Sequence, residues 1–229
     1  MKLFLFHSLF RFFTLNMARR TKEDAQATRT ALLDAAERVF QQRGVSRTSL
    51  NEIAQAAGVT RGALYWHFKD KAALFNAMME RVTLPLETAL VSVASEECAV
   101  HCEPLSELRR GLSHALGQIA NDPQTRRVLQ IATMMVEHVE ELGPVRERHL
   151  QAKRDNVKRL GNALECASRI HGVNLPAPLS ALAHSLHALM HGLVYDWLLE
   201  PVFDLQSTGL SALDIFLRGL GFPSAAPAH

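Results

Sequence analysis

Residues 58 to 75, GVTRGALYWHFKDKAALF, gather side chains suited to gripping a polyanion. Arg61 opens a short helical pattern and is followed by the small residues Gly62 and Ala63, then by Tyr65, Trp66 and His67. Leu64 and Phe68 are four apart and project together, so they can anchor the segment while Gly62, Tyr65 and Trp66 face outward, with Ala63 and His67 at the flanks. Such a helix offers close backbone approach at Gly62 and Ala63, rings that rest on sugar and hydrogen-bond phosphate, and a guanidinium placed to reach base edges. Thr60 has the right type and position to cap it. Lys71, in the first turn of the next helix, opposes the positive end of the dipole by a few tenths to about 1 kcal/mol, and a phosphate there would reverse the sign. With Lys69 and the free amides of that turn, the position reads as an anion site. In the competing reading the rings pack under a second domain and the lysines are merely solvated. Rings, small residues and cations in one segment favour duplex DNA.

The elements that must position these residues are helical, because apolar residues recur at helical spacing and no segment sustains alternation. A first helix is expected from about Glu23 to Arg43, with Thr21 and Asp24 at capping-box spacing, a stripe of Leu32, Ala35, Ala36, Val39 and Phe40, and Gly44 as its stop. Ser49 and Glu52 repeat the box before a very short second helix, which Gly58 ends. A fourth helix starts near Lys71 after Asp70 as cap, and Pro85 is expected to kink it. Further breaks fall at Pro104, Asp122-Pro123, Gly143-Pro144, Gly172 to Pro178 and Pro201. The expected fold is all-α, about nine helices: an N-terminal three-helix helix-turn-helix DNA-binding domain over residues 17–72, then a larger helical domain over 73–222, for which the leucine faces and interrupted stripes, together with the family resemblance given below, imply ligand binding and dimerisation. Residues 1–16 read as an upstream extension or disordered tail, with Met17 as the start, and 223–229 as a flexible tail.

The 229 residues carry a formal charge of only +2, but it is unevenly spread. Ten Lys/Arg face six acids between Met17 and Lys71, whereas 13 basic and 17 acidic residues follow. A basic head on an acidic body implies that the head alone meets the polyanion. Three cysteines without a disulfide-like pattern fit a reducing, cytoplasmic setting, and no segment has transmembrane character. No Gly-rich phosphate loop, nucleophile motif or HExxH pairing occurs, so the chain is not expected to be an enzyme or to hold a cofactor or metal.

The run TSLNEIAQAAGVTRGALYWHFKDKAALF resembles the helix-turn-helix of TetR-type transcriptional repressors. MARRTKEDAQATR resembles the start of the AcrR-like subgroup, which controls multidrug efflux pumps, and WLLEP (Trp197 to Pro201) resembles that subgroup's penultimate helix. The resemblance implies phosphate contacts for Thr48, Thr60, Tyr65, His67 and Lys71, and places Arg61, Gly62 and Ala63 near base edges. Trp66 and Lys69 join them on the residue reading above. Arg19, Arg20 and Lys22 form a candidate basic arm.

One short recognition helix reads too few base pairs, so a two-fold dimer with recognition helices about 34–36 Å apart is expected. Leu182, Leu186, Leu189 and Leu193 line one helical face, and Leu210, Leu213, Leu217 and Leu220 another. Packed on their symmetry mates they would make a four-helix interface; an ordinary intrachain core is the alternative, and the resemblance favours the dimer. Leu108, Leu112, Leu129 and Leu160, with Thr133, Asn156, His187, Met190 and His191, read as an apolar cavity with convergent polar groups for a lipophilic or aromatic inducer. Two other readings stand beside this ligand-responsive repressor. One is a constitutive dimeric DNA-binding regulator without an inducer; the other is a helical-bundle metalloenzyme using His184, His187 and His191. Cys98, His101 and Cys102 form a further candidate cluster, for oxidant sensing.

Overall fold

Side-chain caps and helix breakers divide this chain largely where their chemistry dictates. In the computed structural model, which describes residues 3–91, 103–136 and 142–223, nine helices are found among the described residues. They are α1 (Leu3–Arg43), α2 (Leu50–Ala56), α3 (Arg61–His67), α4 (Lys71–Val91), α5 (Pro104–Asn121), α6 (Pro123–Met134), α7 (Gly143–His171), α8 (Leu179–Leu199) and α9 (Leu205–Gly219). The Cys98, His101 and Cys102 cluster and residues 224–229 lie outside the described residues, as do the side chains of Arg19 and Arg20.

Ser49 closes a complete capping box: its hydroxyl accepts from the Glu52 amide at 3.3 Å while the Glu52 carboxylate accepts from the Ser49 amide at 2.8 Å. Asp122 caps α6 through the amides of Gln124 and Thr125, and Asp204 caps α9 through Ser207. Gly58 takes φ +68 between α2 and α3, a left-handed turn in which any Cβ is strained. One boundary differs from expectation. α1 begins at Leu3 rather than near Glu23, and so runs through residues 3–16. Neither glycine nor proline interrupts Leu3 to Thr21, and the Thr21/Asp24 spacing falls inside a continuous helix rather than at its start. α4 continues through Pro85 to Val91.

Three cores hold the helices. The first unites α1 to α4 with α6 and the start of α7: Leu32, Leu33, Ala36, Phe40, Ile53, Leu64 and Phe75 pack with Met78, Val128, Ile131 and Val145. Packing does not divide at residue 72, because Leu74, Phe75, Met78 and Val82 of α4 belong to the same core as α1 and α3. The second joins α5, α7, α8 and α9, and the third binds the end of α5 to Trp197, Leu198 and Leu205. α9 crosses α5 so closely that a Cβ on Gly209 would clash with Leu116 Cδ1, and Leu116 is itself buried. Trp197 anchors α8: its indole donates to the Phe203 carbonyl at 3.0 Å, and the Arg126 guanidinium lies over its ring at 4.3 Å.

Five of the eight leucines expected to pair two copies face the interior of their own chain instead. Leu182, Leu186, Leu213, Leu217 and Leu220 are buried inside the chain, in the core between α8, α9 and α7. Leu193 and Leu210 are half-buried and Leu189 is exposed. A leucine face marks the side of a helix that leaves water without saying which partner removes it. Larger apolar exposure lies on a rotated face, at Tyr195 and Leu199 of α8 and Ile215 of α9, with Val202 just beyond the end of α8. Ala188, Gly192, Ser211 and Gly219 keep that face flat, and nothing lies within 4 Å of a Cβ built on Gly192 or Gly219.

Candidate nucleic-acid interface

Two apolar anchors fix α3, as the i, i+4 spacing dictates: Leu64 is fully buried and Phe68 nearly so. The opposite face carries Tyr65, 44% exposed, and Trp66, 74% exposed, a large apolar surface for a seven-residue helix to leave in water. The Arg61 guanidinium lies over the Tyr65 ring at 5.3 Å, which holds both side chains at the helix entrance. Thr60 Oγ1 accepts from the Ala63 amide at 3.2 Å, capping the helix and leaving its own proton for donation. Beyond Gly62 the space is open, since a Cβ there would meet only Thr60 Oγ1, at 3.9 Å. His67 is half-buried edge-on against Trp66, with ring centroids 4.6 Å apart. Burial, and then the Arg29 charge, hold its imidazole below the ordinary value, so at neutral pH it offers a neutral ring. Lys69 is exposed beside this surface and lies 3.8 Å from Asp70.

Thr48 and Lys71 do not reach outward, which corrects their expected side-chain contacts with phosphate. Lys71 is 6% exposed, and its ammonium donates to the carbonyls of Val45, Ser46 and Thr48 at 3.2, 3.0 and 2.9 Å. The expected anion site in the first turn of α4 is occupied by Asp70, whose carboxylate accepts from the Ala73 amide at 2.7 Å. Thr48 is buried, its hydroxyl donating to the Gly44 carbonyl at 2.8 Å. Both residues shape the loop in front of α2. With three carbonyls drawn inward to one ammonium, the amides that follow them in trans peptides point the opposite way. The Ser49 amide among these meets Glu52, whose carboxyl is held below its usual range first by that hydrogen bond and also by Arg43. Arg47, exposed in this loop, was not singled out by spacing; its signal is only a basic residue two positions before a capping serine.

The residues read as a ligand cavity are brought together only in part. Leu108, Leu112, Leu160 and Met190 share the second core, whereas Leu129 joins Leu112 in the third. The Thr133 hydroxyl donates to the Leu129 carbonyl of its own helix at 2.8 Å, and Asn156 accepts from Arg159 at 3.3 Å. His187 and His191 stack with centroids 6.0 Å apart, and burial first, then His191, Lys153 and His184, keep His187 below the usual imidazole range. The His184 ring binds its own helix, its Nδ1 donating to the Ser180 carbonyl at 2.8 Å. Among the described residues no group of three or more His, Cys, Asp or Glu is arranged to hold a metal ion, and no helix is long and apolar enough to cross a membrane.

Comparison with known proteins places both parts of the chain. Residues 32–78 match the model of bacterial regulatory proteins of the tetR family, and residues 103–222 match that of the C-terminal region of MAATS-type transcriptional repressors. The HTH-type transcriptional regulator AcrR of Shigella flexneri is 37% identical over 206 residues, covering 88% of this chain and 93% of that protein. The crystal structure of NalD, the secondary repressor of the MexAB-OprM multidrug efflux pump in Pseudomonas aeruginosa, superimposes with TM-score 0.75 at 37% identity, covering 86% of this chain and 97% of its own. A SmeT–triclosan complex superimposes with TM-score 0.74 at 32% identity, covering 89% and 98% of the two chains.

Proposed function

This chain belongs to the tetR family of bacterial regulatory proteins, DNA-binding transcriptional regulators rather than enzymes, and from that premise we propose that it is a dimeric repressor of a multidrug efflux operon, released from its operator by a lipophilic or aromatic small molecule. The observation that carries the reading is the exposed Tyr65–Trp66 face of α3, flanked by Arg61 and Lys69 and backed by two buried anchors. Tyr65, Trp66, His67 and the Thr60 hydroxyl engage the DNA backbone, and Arg61, Gly62 and Ala63 approach base edges in the major groove. The buried ammonium of Lys71 and the Thr48 hydroxyl act behind the α1–α2 loop, whose outward amides and Arg47 meet an adjacent phosphate.

Two copies associate through the flat apolar face of Tyr195, Leu199 and Ile215, an isologous contact of α8 and α9 with their symmetry mates. The inducer enters the apolar body, where Leu108, Leu112, Leu160 and Met190 meet near the polar edge of His187 and His191; triclosan, the ligand named with SmeT, is of the expected chemical class. The regulator works in the cytoplasm. Reversing a 1:99 balance between DNA-binding and non-binding forms to 99:1 requires about 5.5 kcal/mol of differential ligand affinity. By reciprocity, operator DNA must weaken inducer binding by the same factor that inducer weakens operator binding.

The test is fluorescence anisotropy with the duplex upstream of the protein's own gene, across a salt series, with and without triclosan. Palindrome-dependent binding that Tyr65→Ala weakens and triclosan reverses supports the whole reading. Specific binding that no lipophilic compound reverses would leave a constitutive regulator, and binding no better than to random duplex would sink the assignment of α3.

A further inference from the structure

Glu37 is a carboxylate where an α1 residue facing a core would ordinarily be apolar. It is 2% exposed, between Ala36 and the Phe40 turn of the head core. Its two oxygens are taken by two other helices. Arg81 of α4 pairs with Oε1, which also accepts from Gln124 Nε2 of α6 at 3.0 Å, and Arg127 of α6 donates to Oε2 at 3.3 Å. Arg81 also donates to Asp34, one turn earlier on α1, at 2.7 Å. Two carboxylates from α1 therefore meet one guanidinium from α4 and one from α6 where three helices cross. Removing a partner from the buried Glu37 carboxylate leaves an uncompensated charge, so the set holds one geometry firmly.

α6 is what gives this junction reach. Its N-terminal turns hold Glu37 through Gln124 and Arg127, and at its far end the Met135 carbonyl accepts from the Val45 amide at 3.1 Å. The head is thus fastened to α6 at both ends. Between those two joints α6 grips α8: Arg126 stacks on Trp197, and Gln130 donates to the Leu198 carbonyl at 2.9 Å. Leu199, next along α8, belongs to the exposed apolar face through which two copies are proposed to meet.

From these contacts we infer that Glu37 is a positioning residue for operator reading, fixing the angle of the α1–α3 head on α6 and so the separation of the two recognition helices in a dimer. The inference rests on the dimeric DNA-binding function proposed above. Two half-sites lie one duplex turn apart, about 34–36 Å. A head displaced by one base-pair step, about 3.4 Å, reads the wrong register. Glu37 touches no DNA; it acts through the path from α1 to α6 to α8.

The experiment measures anisotropy on three duplexes derived from the protein's own upstream palindrome, with the native spacer and with one base pair inserted or removed. Wild type, Glu37→Gln and Arg127→Gln are compared, with Leu164→Ala as a control that destabilises the body away from the junction. Wild type and Leu164→Ala should prefer the native spacer by about tenfold or more, on the scale of a mismatched site. Glu37→Gln should lose most of that preference while light scattering still reports a dimer. Arg127→Gln, at a partly exposed partner, gives the same readout should Glu37→Gln fail to fold. If the folded junction variants retain the wild-type preference and show only a lower melting temperature, Glu37 is structural and the inference is overturned. Wild-type protein that binds none of the duplexes specifically would overturn the DNA-reading premise, and the inference with it.

Discussion

Helices α3 and α8 both leave aromatic rings in water, and the difference between them lies in the company those rings keep. Trp66 and Tyr65 stand on a seven-residue helix with Arg61 and Lys69 beside them. Tyr195 and Leu199 stand on a 21-residue helix beside Ala188 and Gly192, with Ile215 on the neighbouring helix. A ring among cations suits a polyanion whose sugars are apolar and whose phosphates are charged; a ring among small apolar residues suits a dry surface like itself. Exposure alone does not distinguish the two.

The strongest way to break this comparison is to put a charge on the second face. Ile215→Lys should yield monomers by light scattering, and a monomer holding one half-site should lose operator affinity by roughly 10²–10⁴-fold. Retention of the dimer would mean that the face meets something other than a second copy. Next in size, Trp66→Ala and Tyr65→Ala should each weaken operator binding by about tenfold to a hundredfold, the 1–3 kcal/mol scale of a good groove contact, while leaving the dimer intact. Loss of dimer with either variant would join the two helices functionally and defeat the contrast.

Lys71 sharpens it further, because its charge belongs to the interior of the head. Lys71→Met leaves three carbonyls without their ammonium and should cost about 1–3 kcal/mol of stability in denaturant titrations. The salt slope of operator binding should stay unchanged, whereas a slope shallower by about one unit would return Lys71 to the phosphate contacts. The smallest effect belongs to Asp122→Ala, about 1 kcal/mol for a lost helix cap. The Thr125 hydroxyl, then burial in opposition and the amides of Thr125 and Gln124, set the Asp122 carboxyl below its ordinary 3.8. Its contribution is therefore fully present above that ordinary value and is lost as pH falls through the lower folded one. The wild type and variant should differ by a constant amount near neutrality and converge only in strong acid.

Local chemistry was legible in the sequence, and long-range partnership was not. The Ser49–Glu52 box, the Asp70 cap, the break at Asp122-Pro123, the Gly58 turn and the Leu64/Phe68 anchors involve residues within a turn or so of one another, and all stand where their spacing puts them. The place of Lys71 is not legible in the sequence because its three acceptors lie 23 to 26 residues away. A lysine looks solvated until the loop that surrounds it is in place. Glu37 is illegible for the same reason, its partners being 44 to 90 residues distant. Leu182, Leu186, Leu213, Leu217 and Leu220 do leave water, but their neighbours are helices of their own chain rather than a second copy. The interface candidates on the adjacent face, Tyr195, Leu199 and Ile215, are marked instead by the small residues between them.

The continuous core through α1–α4, α6 and the start of α7 has a consequence for anyone building hybrid regulators. A head excised at residue 72 would leave behind Leu74, Phe75, Met78 and Val82, together with Val128, Ile131 and Val145, all packed in the same interior. Transplanting this DNA specificity onto a foreign sensor therefore needs a seam that carries α4 with the head and recodes the facing side of α6. The alternative is to leave the scaffold whole and exchange only the outward residues of α3, which the interior does not use.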